Sequence, residues 1–513
     1  MNPAPSALPL RPALALAVVS GVAFAPGFPP LGWWPCTLLA FAPLYVALAG
    51  QTPRRALLLG WVSLLVSSTL VFSWLVGTIR DFGGLPTPVA VLALLLLSAW
   101  HGLRLGLATW LTARAERRGW PAAPTFVAAV LALEWTFPLL FTWNLATSMG
   151  DHDALLQTAE LGGPLLVDLT ILLPSVALGE LWRARHARRR PAIGTVVAGL
   201  VVPALAALWG THRIDAVRAR QAEAPELRIG LVQPNLPMGA ESVVPDLQAA
   251  TQRLASAGAE LVLWPETAVH TSYNDYTYPT KLPEQVTGVL GVPTLFGVRT
   301  WRAGATEDAQ KVRHNSAMLS DQDGRILGRY DKHELLAFGE YTPLANVFPA
   351  LAKLMSHARS FTAGEGVQPL EWAGHRIVAL ICYEDTLPTY VNAQVAAADP
   401  DLLVNLTNDA WFGDTAEPWI HQSEARLRAV EHRRYMVRAT NSGPSGVIDA
   451  TGRPEQLGRL FETEERIVTA RLLRGGTLYE RVSDAVGWVA AATILAAALL
   501  RRRRAPETDG IGG

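Results

Sequence analysis

Val378-Ala379-Leu380-Ile381-Cys382-Tyr383-Glu384-Asp385 is the stretch on which the reading of this chain turns. An apolar run ends at a cysteine and is followed by carboxylates, the pattern of a buried strand handing over to a loop. The chain has two cysteines, and the other, Cys36, lies in an apolar, membrane-like stretch. Cys382 therefore has no evident disulfide partner. Upstream, Trp264-Pro265-Glu266 and Tyr330-Asp331-Lys332 each end another β-rich stretch. A carboxylate, an ammonium and a thiol, each at a strand end, compose an acyl-transfer site. Taken singly, each residue has a plainer reading. A free cysteine is commonly a small buried hydrophobe, a lysine a solvated charge, a glutamate a helix cap. The three together point to chemistry.

At 513 residues the chain is too long for one ordinary domain. Half of it is hydrophobic and charged residues are sparse, which is unusual for a soluble protein. Lys plus Arg equal Asp plus Glu at 44 each, so no global field favours nucleic acid. No low-complexity tract, metal-ligand cluster or Gly-rich phosphate loop stands out. The apolar residues concentrate in runs near 12–26, 34–50, 57–77, 88–111, 122–142, 164–181, 192–210 and 485–500, each approaching the ~20 residues that cross a bilayer. Eight spans are expected, the first an uncleaved helix because others follow it at once. The organisation expected is a membrane domain of seven spans over 1–212, an α/β domain over 226–473, an eighth span over 485–500 and a basic tail over 501–513.

Arg54-Arg55, then Arg114, Arg117 and Arg118, then Arg183, Arg185 and Arg188-Arg189-Arg190, then Arg501 to Arg504 follow the second, fourth, sixth and eighth runs. Alternating spans put all four clusters on one side, which the positive-inside rule makes cytoplasmic. Both termini are then inside, and the domain between spans seven and eight is outside, on the periplasmic face of an inner membrane. His101, Arg104 and Glu134 lie in or near spans, where ionisable groups are functional candidates, or else snorkel or pair between helices. Trp33, Trp34, Trp143 and Trp209 read as interface anchors.

In the outer segment, strands are expected at Leu227–Gln233, Glu260–Trp264, Thr294–Val298, Asn315–Ser320, Ile326–Tyr330, Arg376–Cys382, Asp401–Asn405, Tyr435–Thr440 and Gly446–Asp449. Helices are expected at Gln248–Ala257, Gln285–Leu290 and Pro418–Arg433. Asp323-Gly324 is a strong hairpin signal. Strands alternating with helices, with hairpins among them, indicate a layered α/β domain.

Leu263-Trp264-Pro265-Glu266, Tyr330-Asp331-Lys332 and Leu380-Ile381-Cys382-Tyr383-Glu384 resemble the nitrilase superfamily, whose members carry a Glu-Lys-Cys triad on an α-β-β-α sandwich. Phe338-Gly339-Glu340-Tyr341-Thr342-Pro343-Leu344 adds a second glutamate of that group, and Thr407-Asn408-Asp409-Ala410-Trp411-Phe412-Gly413 is more specific still. With eight spans around such a domain, the whole chain resembles the apolipoprotein N-acyltransferase family. Two departures concern the surroundings: Gln233-Pro234-Asn235-Leu236-Pro237-Met238 lacks a tryptophan often found there, and Leu140-Phe141-Thr142-Trp143-Asn144 keeps only part of a Gly-Phe-Pro-Trp-like turn.

The resemblance implies a ping-pong reaction. Cys382 takes an acyl chain from the sn-1 ester of a phospholipid, phosphatidylethanolamine by expectation. The thioester then passes it to the α-amine of a diacylglyceryl-modified cysteine on an apolipoprotein. Chemistry assigns Glu266 as general base, since an unperturbed thiol is mostly neutral at pH 7. Lys332 favours the thiolate and stabilises the oxyanion, with the Tyr383 N–H as a second donor. Glu340 positions Lys332 or assists proton transfer, and Glu384 shapes the pocket. No cofactor or metal is required. Leu335, Leu336, Phe338, Trp411 and Phe412 are candidates to line the acyl path, against a reading as plain core packing. Partners are membrane lipids and lipoprotein substrates, with no nucleic acid and a monomeric state. Two other readings compete. One is a membrane-anchored amidase passing the acyl group to water, and the other a transporter or receptor with a degenerate enzyme domain.

Overall fold

A computed structural model describes residues 7–150, 152–237, 243–303, 311–343 and 361–500. Met238, Leu344, Arg501 to Arg504 and the 501–513 tail lie outside the described residues.

Among the described residues, five helices are long and apolar enough to cross a membrane: Leu10–Gly27, Pro53–Val71, Thr87–Glu116, Pro164–His186 and Ile193–Glu223. Apolar helices also form in the other three expected places, at Trp34–Ala47, Ala122–Thr136 and Ala485–Leu499, but each is shorter. Of the eight expected spans, five are helices long enough to cross a membrane and three are shorter apolar helices. The run at 34–50 is broken into two short turns, each with a proline near its start (Pro35, Pro43). The run at 122–142 stops at Thr136, ahead of Pro138, because the residue before a proline disfavours helical backbone. Pro53, Pro88 and Pro164 begin helices, where a missing N–H is harmless.

Helices Pro53–Val71 and Thr87–Glu116 pack closely. A Cβ at Gly60 or Gly102 would strike the backbone of Leu105 or Trp61, and Thr109 donates to the Ala56 carbonyl at 2.7 Å. That contact sets Arg54 and Arg55 at the same end as Arg114. Arg183 pairs with Glu116 at 3.0 Å, and Arg118 donates to the Leu499 carbonyl at 2.9 Å. The described basic clusters and the end of the last helix thus share one end of the bundle.

Inside the bundle, Arg104 pairs with Glu134 at 3.2 Å and His101 bonds Ser68 at 2.8 Å. The guanidinium lies 4.2 Å from the Trp143 ring centroid. These polar groups are inter-helix partners rather than snorkelling ends. Trp143 is buried beneath Arg104, which corrects its reading as an interface anchor. Trp33, 59 % exposed, remains at a surface.

Helix Ile193–Glu223 runs 31 residues, ~46 Å at 1.5 Å per residue. It continues past position 212 and feeds almost directly into the first strand. Among the described residues of the α/β region, the strands are β1 Glu226–Gln233, β2 Leu261–Leu263, β3 Val269–Asn274, β4 Thr294–Arg302, β5 Val312–Ser320, β6 Ile326–Asp331, β7 Leu370–Trp372, β8 His375–Ile381, β9 Leu402–Thr407, β10 Met436–Thr440, β11 Gly446–Ile448, β12 Pro454–Glu455 and β13 Glu464–Arg471. One sheet has the order β13-β1-β2-β4-β5-β6, with β3 beside β4, and the other runs β12-β11-β10-β9-β8-β7. Their inner faces meet in a common core that includes Leu231, Leu263, Leu295 and Ala317 from one sheet and Ile377, Ala379, Val404 and Val437 from the other. Helix Val244–Ser256 covers the outer face of the first sheet, and helices Pro388–Ala398 and Glu417–His432 cover that of the second. This is the expected α-β-β-α sandwich.

Sequence reading did not find β3, β7, β12, β13 or helix Pro388–Ala398. β13 carries Glu464, Glu465, Arg466 and Arg471 and is only partly buried, as edge strands are. The segment expected as helix at Gln285–Leu290 instead winds as a π-turn at Pro283–Thr287 after a short helix at Tyr278–Leu282.

The two regions meet along an ionic seam. Glu160 accepts from Arg213 at 2.7 Å and from Arg433 at 2.6 Å, and Asp153 pairs with Arg426 at 2.5 Å. Gln157 also donates to the Thr451 carbonyl at 3.0 Å.

Candidate active site

β2, β6 and β8 each end at the same edge of the sandwich, and each hands a reactive side chain to it. Pro265 stops β2, so Glu266 emerges just beyond the strand, 8 % exposed. Gly297 on β4 has no room for a Cβ because the Pro265–Thr267 backbone lies against it. That contact fixes where Glu266 stands. Lys332 follows β6 directly, and its N–H donates to the Asn315 carbonyl at 2.8 Å. β8 ends at Ile381, and Cys382 opens a 3₁₀ turn, Cys382–Thr386, with φ of +54°. A left-handed conformation at a non-glycine residue costs ~1–3 kcal/mol, and such strain clusters at functional sites. Here it turns the chain sharply from strand to helix at the thiol.

The Lys332 ammonium is 1 % exposed; it lies 2.7 Å from Glu340 Oε2 and 4.0 Å from Glu266 Oε1. Asn315 links the two carboxylates, donating from one Nδ2 to Glu266 at 2.7 Å and to Glu340 at 3.0 Å. Glu340 also accepts from the Leu336 N–H at 2.9 Å, which ties the Leu335–Phe338 loop to the site. Glu384 accepts from the Tyr330 hydroxyl at 2.6 Å and from the N–H groups of Ile381, His333 and Glu334 at 2.7, 2.9 and 3.1 Å. It therefore fastens the loop after Lys332 to the strand that carries Cys382.

Burial raises the Glu266 carboxyl above the usual carboxylate range, with Lys332 opposing. Burial acts against the Lys332 charge, but Glu340, Cys382 and Glu266 outweigh it and hold the ammonium. Burial and then Glu266 push the Cys382 thiol well up, with Lys332 pulling the other way. Burial moves Glu384 up to about 7 against the pull of Lys332 and its four donors. Burial thus favours the neutral thiol, while its acidic neighbours hold the Lys332 ammonium. A neutral thiol needs a base as it attacks.

Two consequences are measurable. Acyl-enzyme formation should fall on the acid side as Glu266 takes a proton, with a midpoint above the ~4.3 of an ordinary glutamate. Single-turnover acylation across pH gives that midpoint, and one at or below the ordinary value contradicts the assignment. Asn315→Leu leaves both carboxylates one donor short. At ~1.5–3 kcal/mol for a hydrogen bond to a charged group, acylation should slow by about tenfold to a hundredfold. Wild-type single-turnover rates in a normally folded variant would count against the bridge.

Tyr383 is half-buried, and its phenol meets Thr142 of the membrane region. Its backbone N–H belongs to the first turn of the 3₁₀ segment, where such groups have no intrahelical partner. Leu335, Leu336 and Phe338 are half-buried on the loop before Glu340 rather than inside the sandwich core. Trp411 and Phe412 reach outward to the membrane region, their rings 5.8 Å from Phe82 and 5.3 Å from Trp74. Plain core packing does not describe these five.

Sequence reasoning missed Asn315 and a buried ionic group behind the cysteine. No local signal marks Asn315, which stands in the polar half of β5 beside Arg313, His314 and Ser316. Behind Cys382, Asp385 pairs with His421 at 2.6 Å and Arg438 at 2.9 Å, while Asp409 faces both at 3.5 Å and accepts from Thr407 at 2.9 Å. Burial would neutralise His421, but Asp385 and Asp409 hold its proton, pushing it up to about 10. Among the described residues no group of three or more His, Cys, Asp or Glu side chains could hold a metal ion.

A sandwich with this glutamate, lysine and cysteine at one edge defines a carbon–nitrogen hydrolase domain, and the carbon-nitrogen hydrolase family model matches residues 228–475. The model of the apolipoprotein N-acyltransferase N-terminal domain matches residues 20–177. Curated apolipoprotein N-acyltransferases from Geobacter metallireducens and Azotobacter vinelandii are 31 % and 32 % identical to the chain, each covering 97 % of it and 97 % of their own length. One from Gloeobacter violaceus is 31 % identical over 91 % of the chain and 90 % of its own length. A solved amidase of the nitrilase superfamily from Nesterenkonia is 21 % identical, covering 51 % of this chain and 97 % of that one at a TM-score of 0.35. The chain belongs to the apolipoprotein N-acyltransferase family.

Proposed function

We propose that this protein transfers an acyl chain from a phospholipid, through a thioester on Cys382, to the α-amine of a diacylglyceryl-modified cysteine at the N-terminus of apolipoproteins. The observation that carries the assignment of roles is the clamp on Lys332, a buried ammonium held by Glu340 and facing both Glu266 and the thiol. Glu266 takes the thiol proton as sulfur attacks the ester carbonyl. Lys332 Nζ and the Tyr383 N–H receive the oxyanion. Collapse breaks the ester bond, and the departing lysophospholipid oxygen takes the proton from Glu266. The amine then attacks the thioester, gives a proton to Glu266 and leaves as an amide, and the thiol is restored. Glu340 positions Lys332, and Glu384 positions the strand end that carries the nucleophile.

The eight apolar helical regions act as eight spans, with the short ones completed by flanking turns. The shared basic end is cytoplasmic by the positive-inside rule, so the 226–473 domain faces the periplasm of an inner membrane and both termini are inside. The membrane region over 1–212 and the helix over 485–500 then hold the site at the lipid surface where both substrates keep their chains. The donor is phosphatidylethanolamine and the working unit a monomer.

Trp411 and Phe412, together with Leu335, Leu336 and Phe338, line the acyl path. Replacing Trp411 and Phe412 together by alanine should slow acylation by a long-chain phospholipid about tenfold or more, given the ~1.5–3 kcal/mol of a large apolar contact. Acylation by a short-chain ester should change less, with the melting temperature within a few degrees of wild type. Equal rates for both donors and both proteins would remove these residues from the path.

A further inference from the structure

Thr407 and Asp409 have no part in the chemistry set out above, yet both sit directly behind the nucleophile. β8 and β9 run parallel with Ile381 beside Leu406, so Cys382 and Thr407 are the next residues along the two strands. Leu403 lies on the outer face of its sheet, and the two-residue period of a strand puts Asn405 and Thr407 on that face as well. Both are fully buried. Asn405 donates from Nδ2 to the Cys382 carbonyl at 2.9 Å, and Thr407 presents its hydroxyl to the Cys382 sulfur. The same hydroxyl donates to Asp409 Oδ1 at 2.9 Å. One hydroxyl proton therefore has two acceptors, a carboxylate oxygen and a sulfur.

The surrounding charges keep Asp409 an acceptor. Burial alone would raise its carboxyl, but His421, then Arg438 and Thr407, hold it below the usual carboxylate range. His421 and Arg438 are shared with Asp385. Two cations thus face two aspartates. Helix Glu417–His432 adds two further acids, and burial raises Glu417 well above the carboxylate range and moves Glu424 up to about 8. The other charged groups facing the thiol are Glu266 and Lys332.

We propose that Thr407 is a two-position donor, its hydroxyl resting on Asp409 while the sulfur is a thiol or thioester and turning to the sulfur whenever the sulfur carries charge. The proposal rests on Cys382 being the nucleophile of the reading above. A neutral sulfur is a weak acceptor and leaves the proton to Asp409. An ionised sulfur competes for it, and Asp409 keeps His421 and Arg438 when the hydroxyl turns away. In the first step the thiol proton goes to Glu266, and Thr407 donates to the sulfur until the bond to the acyl carbon forms. In the second, the carbon–sulfur bond breaks with its electron pair left on sulfur. Thr407 donates to that sulfur until Glu266 returns the proton. Thr407 keeps its own proton throughout. It touches the reacting atom, and Asp409 is a positioning residue.

The test uses the full-length protein in detergent micelles, wild type beside Thr407→Val and Thr407→Ser, each checked by thermal melting. Valine keeps the β-branched shape that suits a strand and removes only the hydroxyl. Iodoacetamide alkylation at Cys382, read by peptide mass spectrometry at one fixed pH, reports the thiolate. Transfer to a diacylated peptide is measured separately, from acyl-enzyme preformed with p-nitrophenyl palmitate. Both rates should fall about tenfold or more in the valine variant, as loss of a hydrogen bond to a charged group implies. Serine, which keeps the hydroxyl, should restore most of each rate. A purely structural role predicts the opposite sign, because a loosened site exposes the thiol and speeds its alkylation. Alkylation in the valine variant at or above the wild-type rate overturns the proposal, as does a serine variant as slow as valine. Should the valine variant not fold, Thr407→Ala is judged by the same rates, and failure of both to fold gives Thr407 to the structure and overturns the donor role. No acyl adduct on wild-type Cys382 from phosphatidylethanolamine, with alkylation still slowed by valine, would instead bring down the acyl-transfer reading and leave the donor standing.

Discussion

Cys382→Ala is expected to remove all acyl transfer while leaving the fold intact. The side chain is 6 % exposed, and its loss deletes a single sulfur at the edge of the core between the sheets. The strained backbone at φ +54° is no worse for alanine than for cysteine. Stability should therefore change little. Without a nucleophile there is no thioester, and the rate should fall at least ~10³–10⁴-fold, as when a covalent catalyst loses its attacking atom. Serine in the same place should do little better. Its hydroxyl is far less acidic than a thiol, and Glu266 and Lys332 are arranged around sulfur. The check is N-acylation of a diacylated peptide by purified protein, with melting curves beside it. Substantial transfer by the alanine variant would mean that another group carries the acyl chain.

Lys332→Met is expected to damage both chemistry and fold. Loss of an oxyanion donor costs ~2.7–4 kcal/mol in the transition state, or a rate fall of about 10²–10³-fold. The structural loss arises separately. With the ammonium gone, Glu266 and Glu340 share Asn315 in a buried site without a cation. Breaking a buried pair by removing one partner costs ~3–5 kcal/mol. The sign with pH follows from the raised Glu266 carboxyl. A carboxyl whose folded value lies above its unfolded value favours the fold at low pH and loses that contribution as pH rises through the folded value. The variant's deficit should therefore shrink on acidification, as the stranded carboxylates take up protons. Melting of both proteins at several pH values tests this, and a deficit independent of pH would show that the clamp is not electrostatic.

Much of this arrangement was legible in the sequence because β-strands announce themselves by apolar runs and prolines. Pro265 stops β2 just before Glu266, and Ile381 ends β8 at Cys382, so both residues could be placed at strand ends without coordinates. Lys332 was legible from the Asp323-Gly324 hairpin that delivers β6. What could not be read was pairing across distance. The Asn315 bridge needs the end of β2, β5 and the 333–343 loop to converge, which no local pattern encodes. Asp385, His421, Asp409 and Arg438 likewise come from four separate segments and meet only behind the finished sheet. Span lengths were over-read for a local reason. Hydropathy registers Phe137 and Leu139 as readily as Ala132, whereas Pro138 ends the helix between them. Trp143 was misplaced because a tryptophan at a span end looks the same whether it faces lipid or lies beneath an arginine.

The central claim is that Cys382 carries the acyl chain between a phospholipid and an amine. Intact-protein mass spectrometry of the full-length protein, incubated with phosphatidylethanolamine and then with a diacylated peptide, tests it most directly. The account predicts a fatty-acyl increment on wild type, absent in Cys382→Ala, released by hydroxylamine and moved to the peptide's α-amine when the acceptor is added. An active wild-type preparation with no adduct at Cys382, or an adduct that goes only to water in the presence of the peptide, would contradict it.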